Sequence, residues 1–167
     1  MSAEVILRAE GLRIALRVER YQFPQFATGS DANWLVCDLQ AEVKAKLAGE
    51  PDTGFRAHLR PMLMTSEVKD LATQLRALIE HRAGLAGLEH IEQCIGLKFA
   101  ANAECTTVAG FLAEHSSARL TFGPAETDQS SLQQLAHQLD QIASAFPVRG
   151  NPHDPPEQPF VTATCQS

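Results

Sequence analysis

The chain has 167 residues, of which 44% are apolar and 20% charged, and a formal net charge of −6. That is enough apolar chain for one domain with a hydrophobic core, and it excludes a fibrous repeat or disorder throughout. The acid excess argues against general affinity for DNA, RNA or anionic membranes, all of which reward Lys and Arg.

At the N-terminus, Glu4 and Arg8 bracket an apolar run of only three residues, Val5-Ile6-Leu7. A signal peptide needs about 7–15, and no stretch approaches the ~20 of a membrane span. The expected compartment is the cytoplasm. Residues 5–8 read as a short strand, turning at Glu10-Gly11. Residues 11–21 then alternate, with Leu12, Ile14, Leu16 and Val18 on one side and Arg13, Arg17 and Glu19 on the other. Strict alternation of this kind predicts a half-buried strand.

Thr28-Gly29-Ser30-Asp31 supplies turn chemistry to a loop over residues 22–33, where Asp31 or Asn33 would bond the local backbone. A second strand follows over residues 34–43. Leu35, Cys37, Leu39, Ala41 and Val43 share its inner face, and Trp34 is assigned to the core. A turn at Gly49-Glu50-Pro51-Asp52 leads into residues 54–63. There Phe55, Ala57 and Leu59 point inward, and Arg56, His58 and Arg60 point outward.

The stripe Val68, Leu71, Leu75, Leu78 and Ile79 predicts an amphipathic helix. Thr65 or Ser66 would cap it, and Glu67 in its first turn suits the helix dipole. Gly84 is its C-terminal signal, so Gly84-Leu85-Ala86-Gly87 reads as a cap and turn. Residues 88–122 read as β again, through Ile95, Leu97 and Phe99, then residues 106–113, then residues 119–122 stopped by Gly123-Pro124. A second helix carries Leu132, Leu135, Leu139, Ile142 and Phe146, is capped by Thr127 or Ser130, and ends at Pro147. Residues 150–167 hold four prolines and read as an extended or disordered tail. The expected architecture is therefore a single α+β domain over residues 1–149. It has a mainly antiparallel sheet and two amphipathic helices packed on one face, followed by a Pro-rich tail.

No catalytic, cofactor or metal motif emerges. None of His58, His81, His90, His115, His137 and His153 forms H-x-x-x-H or H-E-x-x-H. There is no G-x-S-x-G elbow and no phosphate loop. Cys37, Cys94, Cys105 and Cys165 are scattered; Cys94 and Cys105, eleven apart, could face each other across neighbouring strands. The row Arg56, His58, Arg60 lacks the aromatic residues of a nucleic-acid site.

One ordered set of features goes further. Asp31-Ala32-Asn33-Trp34-Leu35-Val36 leads from a polar turn into a strand. Thr65-Ser66-Glu67-Val68 opens the first helix, Gly96-Leu97-Lys98-Phe99 forms a later strand, and Phe146-Pro147-Val148-Arg149 closes the second helix. Over about residues 5–149 this order and spacing resembles the WapI-type immunity proteins, named for the wall-associated toxin they neutralise. Ahead of Leu97 the chain has Glu92-Gln93-Cys94-Ile95, where the family often has an acidic-Pro-Asn turn. The resemblance implies a small cytoplasmic protein without enzymatic activity or cofactor that binds the C-terminal domain of a polymorphic toxin, in some members an RNA-cleaving one. The charge of −6 would favour capture of a basic nuclease. Candidate interface residues are Asp31 and Asn33 in the loop, Glu50 and Asp52 on the turn, and the row Arg56, His58 and Arg60. The alternatives are a small enzyme, which would need a pocket with converging titratable groups, and a module of a larger assembly, which would need a large exposed apolar patch.

Overall fold

The structure, a computed structural model, describes residues 3–45, 53–90, 93–114 and 118–151. The expected turn at residues 49–52, His115, His153 and nearly all of the Pro-rich segment lie outside the described residues.

The chain forms two antiparallel sheets, each a meander that ends in a helix. In the first, β1 (Ala3–Ala9), β2 (Leu12–Tyr21), β3 (Trp34–Ala45) and β4 (Thr53–Leu59) lie side by side in chain order. Gly11 takes a φ of +65° in the tight β1–β2 turn, and a Cβ there would stand 2.7 Å from the Lys44 carbonyl oxygen. The strand expected over residues 54–63 is divided at Pro61, which has no N–H to give to the ladder. β4 pairs with the C-terminal half of β3, while β5 (Met62–Met64) pairs with its beginning, Trp34 opposite Met64. Helix α1 (Thr65–Ile79) follows directly.

The second sheet is β6 (Leu85–Glu89), β7 (Ile95–Ala101), β8 (Thr106–Glu114) and β9 (Ala118–Thr127), ahead of helix α2 (Gln129–Ala145). β9 runs past the end of β1, where hydrogen bonds link the two sheets. There the Glu10 N–H donates to the Glu126 oxygen at 2.7 Å and the Thr127 hydroxyl donates to the Arg8 oxygen at 2.8 Å. The α+β class and the antiparallel pairing are as expected. What the sequence left as one sheet is two, because each meander pairs only among its own strands.

Helix α1 packs on α2 and β6, and α2 packs on β1. Both bury the predicted stripes, Val68, Leu71, Leu75 and Leu78 on α1 and Leu132, Leu135, Leu139 and Ile142 on α2. These side chains join the inner faces of both sheets in one continuous core, with Val18, Leu39, Phe99 and Val108 at its centre. No helix of the described residues is long and apolar enough to cross a membrane.

Several local expectations are corrected. Helix α1 is not capped by Thr65 or Ser66: Met64 holds the cap position, its N–H donating to Glu67 Oε2 at 2.7 Å, and Thr65 is buried inside. Asp128 caps α2 instead of Thr127 or Ser130, accepting from the Ser131 N–H at 2.7 Å. His81 takes the left-handed position after α1, with φ 58°, which frees Gly84-Leu85-Ala86-Gly87 to open β6. The last strand continues past Gly123-Pro124, because β9 bulges there: Phe122 pairs with Gly110 and Ala125 with Val108, so Gly123 and Pro124 together lie opposite Ala109. Cys94 and Cys105 do not face each other. Ile95 pairs with Leu112 and Ala101 with Thr106, so the two cysteines flank opposite ends of the β7–β8 ladder, and Cys37 and Cys105 are free thiols.

Candidate partner-binding site

The candidate residues fall into two groups with different fates. Asn33 lies in a short 3-10 turn (Asp31–Asn33) and is fully buried. Its side-chain nitrogen donates to the carbonyl oxygens of Gly29 at 2.9 Å and Arg149 at 3.0 Å. Its oxygen accepts from the Thr65 hydroxyl at 3.0 Å and the Arg149 N–H at 2.8 Å. Both donors and both lone pairs of the amide are thus engaged. Asn33 is therefore corrected from contact residue to internal joint, and Asp31 beside it is half-buried.

The same joint draws in the end of the domain. The Arg149 guanidinium lies 3.5 Å over the Tyr21 ring and donates to the Phe26 oxygen at 3.0 Å, while the Tyr21 hydroxyl donates to the Pro147 oxygen at 2.6 Å. Asn33-Trp34-Leu35 and Phe146-Pro147-Val148-Arg149, more than a hundred residues apart, are thus two halves of one fastening. Trp34 is half-buried, not core, and meets the ring of His90 edge-on.

Arg56, His58 and Arg60 remain exposed, on or just after β4. The β3–β4 register sets Arg56 opposite Glu42 and His58 opposite Gln40. Arg56 Nε lies 3.4 Å from Glu42, and His58 Nε2 lies 2.9 Å from Asp38. The hydrogen bond from His58 is the main influence holding the Asp38 carboxyl below its usual range. Following the register across the sheet, this outer face also carries Arg8 on β1, Arg13, Arg17 and Arg20 on β2, and Lys44 on β3. Among the described residues its carboxylates are Glu4, Asp38 and Glu42, with Glu19 at the bulge of β2, fewer than its basic side chains, so a locally basic face sits on a chain whose net charge is −6. Glu50 and Asp52 lie outside the described residues.

The other side of β4 is apolar. Phe55, Ala57 and Leu59 look across to Leu112 and Leu120 of the second sheet, over a groove of about 390 Å³ rimmed by His58, Glu114 and Arg119. Phe55 is 49% exposed. Alternation assigned it correctly to the inner face, but β4 is an outer strand among the described residues, and none of these covers that end. Arg119 is held at the rim by its guanidinium, 3.8 Å over the Phe111 ring.

A second concavity of about 520 Å³ lies between the end of α1, the β7–β8 turn and the start of α2, with Glu10, Glu104, Glu126, Asp128, His81 and Cys105 on its walls. Its polar contacts hold loops and caps in place. Asn102 Oδ1 accepts from the Glu104 and Cys105 N–H groups at 2.9 and 2.8 Å, and the Cys105 sulfur accepts from the Asn102 amide at 3.7 Å. Hydrogen bonds from Ser130 and Ser131 pull the Asp128 carboxyl down to about 2. Among the described contacts no nucleophile is paired with a base. Burial pushes the Cys37 thiol up to about 12, an inert core sulfur.

Residues 5–147 match the model of the WapI-like immunity protein family. The chain belongs to this family. No curated protein and no solved structure matches the chain. The family match spans both meanders and both helices and ends at Pro147, two residues short of Arg149, so its limits are close to those of the fastened domain. An immunity protein meets its toxin through its surface, and of the predicted contact residues the structure leaves the β4 row exposed.

Proposed function

We propose that this chain protects its cell by binding the toxic domain of a polymorphic bacterial toxin and blocking it, with no chemistry of its own. The observation that carries the reading is membership of the WapI-like immunity protein family over residues 5–147. The described surface is in keeping with it: an exposed row of Arg56, His58 and Arg60 on one side of an outer strand and an exposed Phe55 on the other. Interfaces draw their binding energy from such aromatic and Arg anchors. Glu50 and Asp52, which precede β4 in the chain, remain candidate contacts by sequence alone.

The partner would be the toxin's C-terminal domain, met in the cytoplasm. A nucleic-acid-cleaving domain with a basic surface fits at long range, since a net charge of −6 speeds the encounter. Contact at short range would be set by the local surface. The test is co-expression of the toxin domain encoded beside this chain in a sensitive host, with and without the chain, followed by pull-down. Rescue together with a stable complex is expected. Rescue without a complex would replace the reading with an enzyme that intercepts the damage, and no rescue would remove it for that toxin.

A further inference from the structure

We infer that the open edge of β4 takes up an extended segment of the toxin as an added strand, one whose residues alternate between apolar and acidic. This rests on the toxin-binding reading above and says how the contact is made.

Three observations converge on β4. Its backbone pairs with β3 alone, and no other described strand lies along its second edge. An open edge leaves a row of N–H and C=O groups that another chain can pair with. On the inner side of that edge lies the groove of about 390 Å³, with Phe55 and Leu59 on one wall and Leu112 and Leu120 on the other. On the outer side stand Arg56, His58 and Arg60.

Successive side chains of a strand point to opposite faces. A segment laid along β4 would therefore send every second side chain into the groove and the others onto the basic face. The groove rewards apolar groups, covering Phe55, and the basic face rewards carboxylates. Arg119, fixed on Phe111, closes the far wall of the groove with a positive charge. The charge pattern also selects against the simplest competitor, a second copy of this chain. Two β4 edges paired with each other would bring like basic rows together, and like charges across a strand pair are destabilising.

The experiment uses the full chain and the toxin domain encoded beside it. Three forms are compared: the unaltered chain, Phe55→Asp, and the double variant Arg56→Glu with Arg60→Glu. All three positions are exposed, and circular dichroism checks each fold. Binding is measured by calorimetry, and amide hydrogen exchange is followed in the free and bound unaltered chain. We expect each variant to bind about 30-fold more weakly, as loss of an interface anchor does, and amides of residues 53–59 to slow on binding. Complex formation by the unaltered chain with undiminished binding by both variants and no slowing in β4 would overturn the added strand while leaving the toxin-binding reading intact. No complex with the unaltered chain would remove that reading and the inference with it. Dimerisation of the chain alone, with β4 amides protected in the dimer, would assign the edge to a second copy and overturn the proposal.

Discussion

Asn33 ties together three segments that the chain order keeps apart: the loop before β3, the first turn of α1 and the residues after α2. Replacing it with Ala leaves a buried hydroxyl, an N–H and two carbonyls without partners. Each such group costs about 1–3 kcal/mol, and partial relaxation brings the expected total loss for Asn33→Ala to roughly 3 kcal/mol. Urea unfolding followed by fluorescence measures it; a loss below about 1 kcal/mol would show the joint to be dispensable. Asp128 offers a pH test. Its folded pKa of about 2 lies below the unfolded value of about 3.9. A depressed carboxyl contributes stability above its unfolded pKa and loses it as the pH falls through the folded one. The capping contribution should therefore fade between about pH 4 and pH 2. Asp128→Asn should weaken the fold at neutral pH and shallow the acid-unfolding curve across that window. An unchanged acid limb would contradict the assignment. The sequence placed Asn33 in a turn but not in the core, because the partners that bury it come from residues 65 and 149. The local turn signal is legible; the long-range closure is not.

At the scale of elements, the inner strands of the second sheet, β7 and β8, depend on close approach at two glycines. A Cβ on Gly110 would stand 2.1 Å from the Gly96 carbonyl oxygen, a backbone atom that moves only with its strand. Gly110→Ala should therefore cost about 2 kcal/mol, in the range of overpacking, and shift the β7–β8 amide resonances. Gly84 has nothing within 4 Å of its would-be Cβ and serves as the control. Gly84→Ala should be neutral or stabilising by up to about 1 kcal/mol. Thermal unfolding of both variants decides it, and equal midpoints would refute the contrast. The same sheet shows where reading by pattern stops. Strands with uninterrupted alternation, such as Leu12 to Val18, and both helical stripes were legible. β6 was not, since Gly84 and Gly87 look like punctuation and the apolar residues between them are too few to set a period. β9 was cut short for a related reason: Pro124 is a strand stop unless its own strand bulges to take it out of the ladder, and a bulge leaves no mark in the sequence.

For the whole molecule, the deciding feature is the unequal spread of charge. Net charge is legible in composition; the surplus of Arg on the outer face of the first sheet appears only once the register aligns β1 to β4. Likewise, alternation gave the side of β4 on which Phe55 lies, but whether anything covers that side depends on how two meanders meet. The basic face and open apolar groove accompany one flank of the domain, and the acidic cleft lies at the α1–α2 end. Long-range attraction to a basic domain and short-range contact through a basic strand are compatible because they act at different distances. Raising salt should accordingly slow association more than it speeds dissociation, and stopped-flow kinetics at two ionic strengths would show it; the reverse ranking would speak against steering.

The most direct test of protection by binding is a titration of toxin activity in vitro. The toxin domain encoded beside this chain is held at fixed concentration and its activity followed as the chain is added. One-to-one blocking predicts a linear fall to near zero at equimolar ratio, with complex and inhibition appearing together. Full activity at excess chain, or complete inhibition by far less than an equimolar amount, would contradict it.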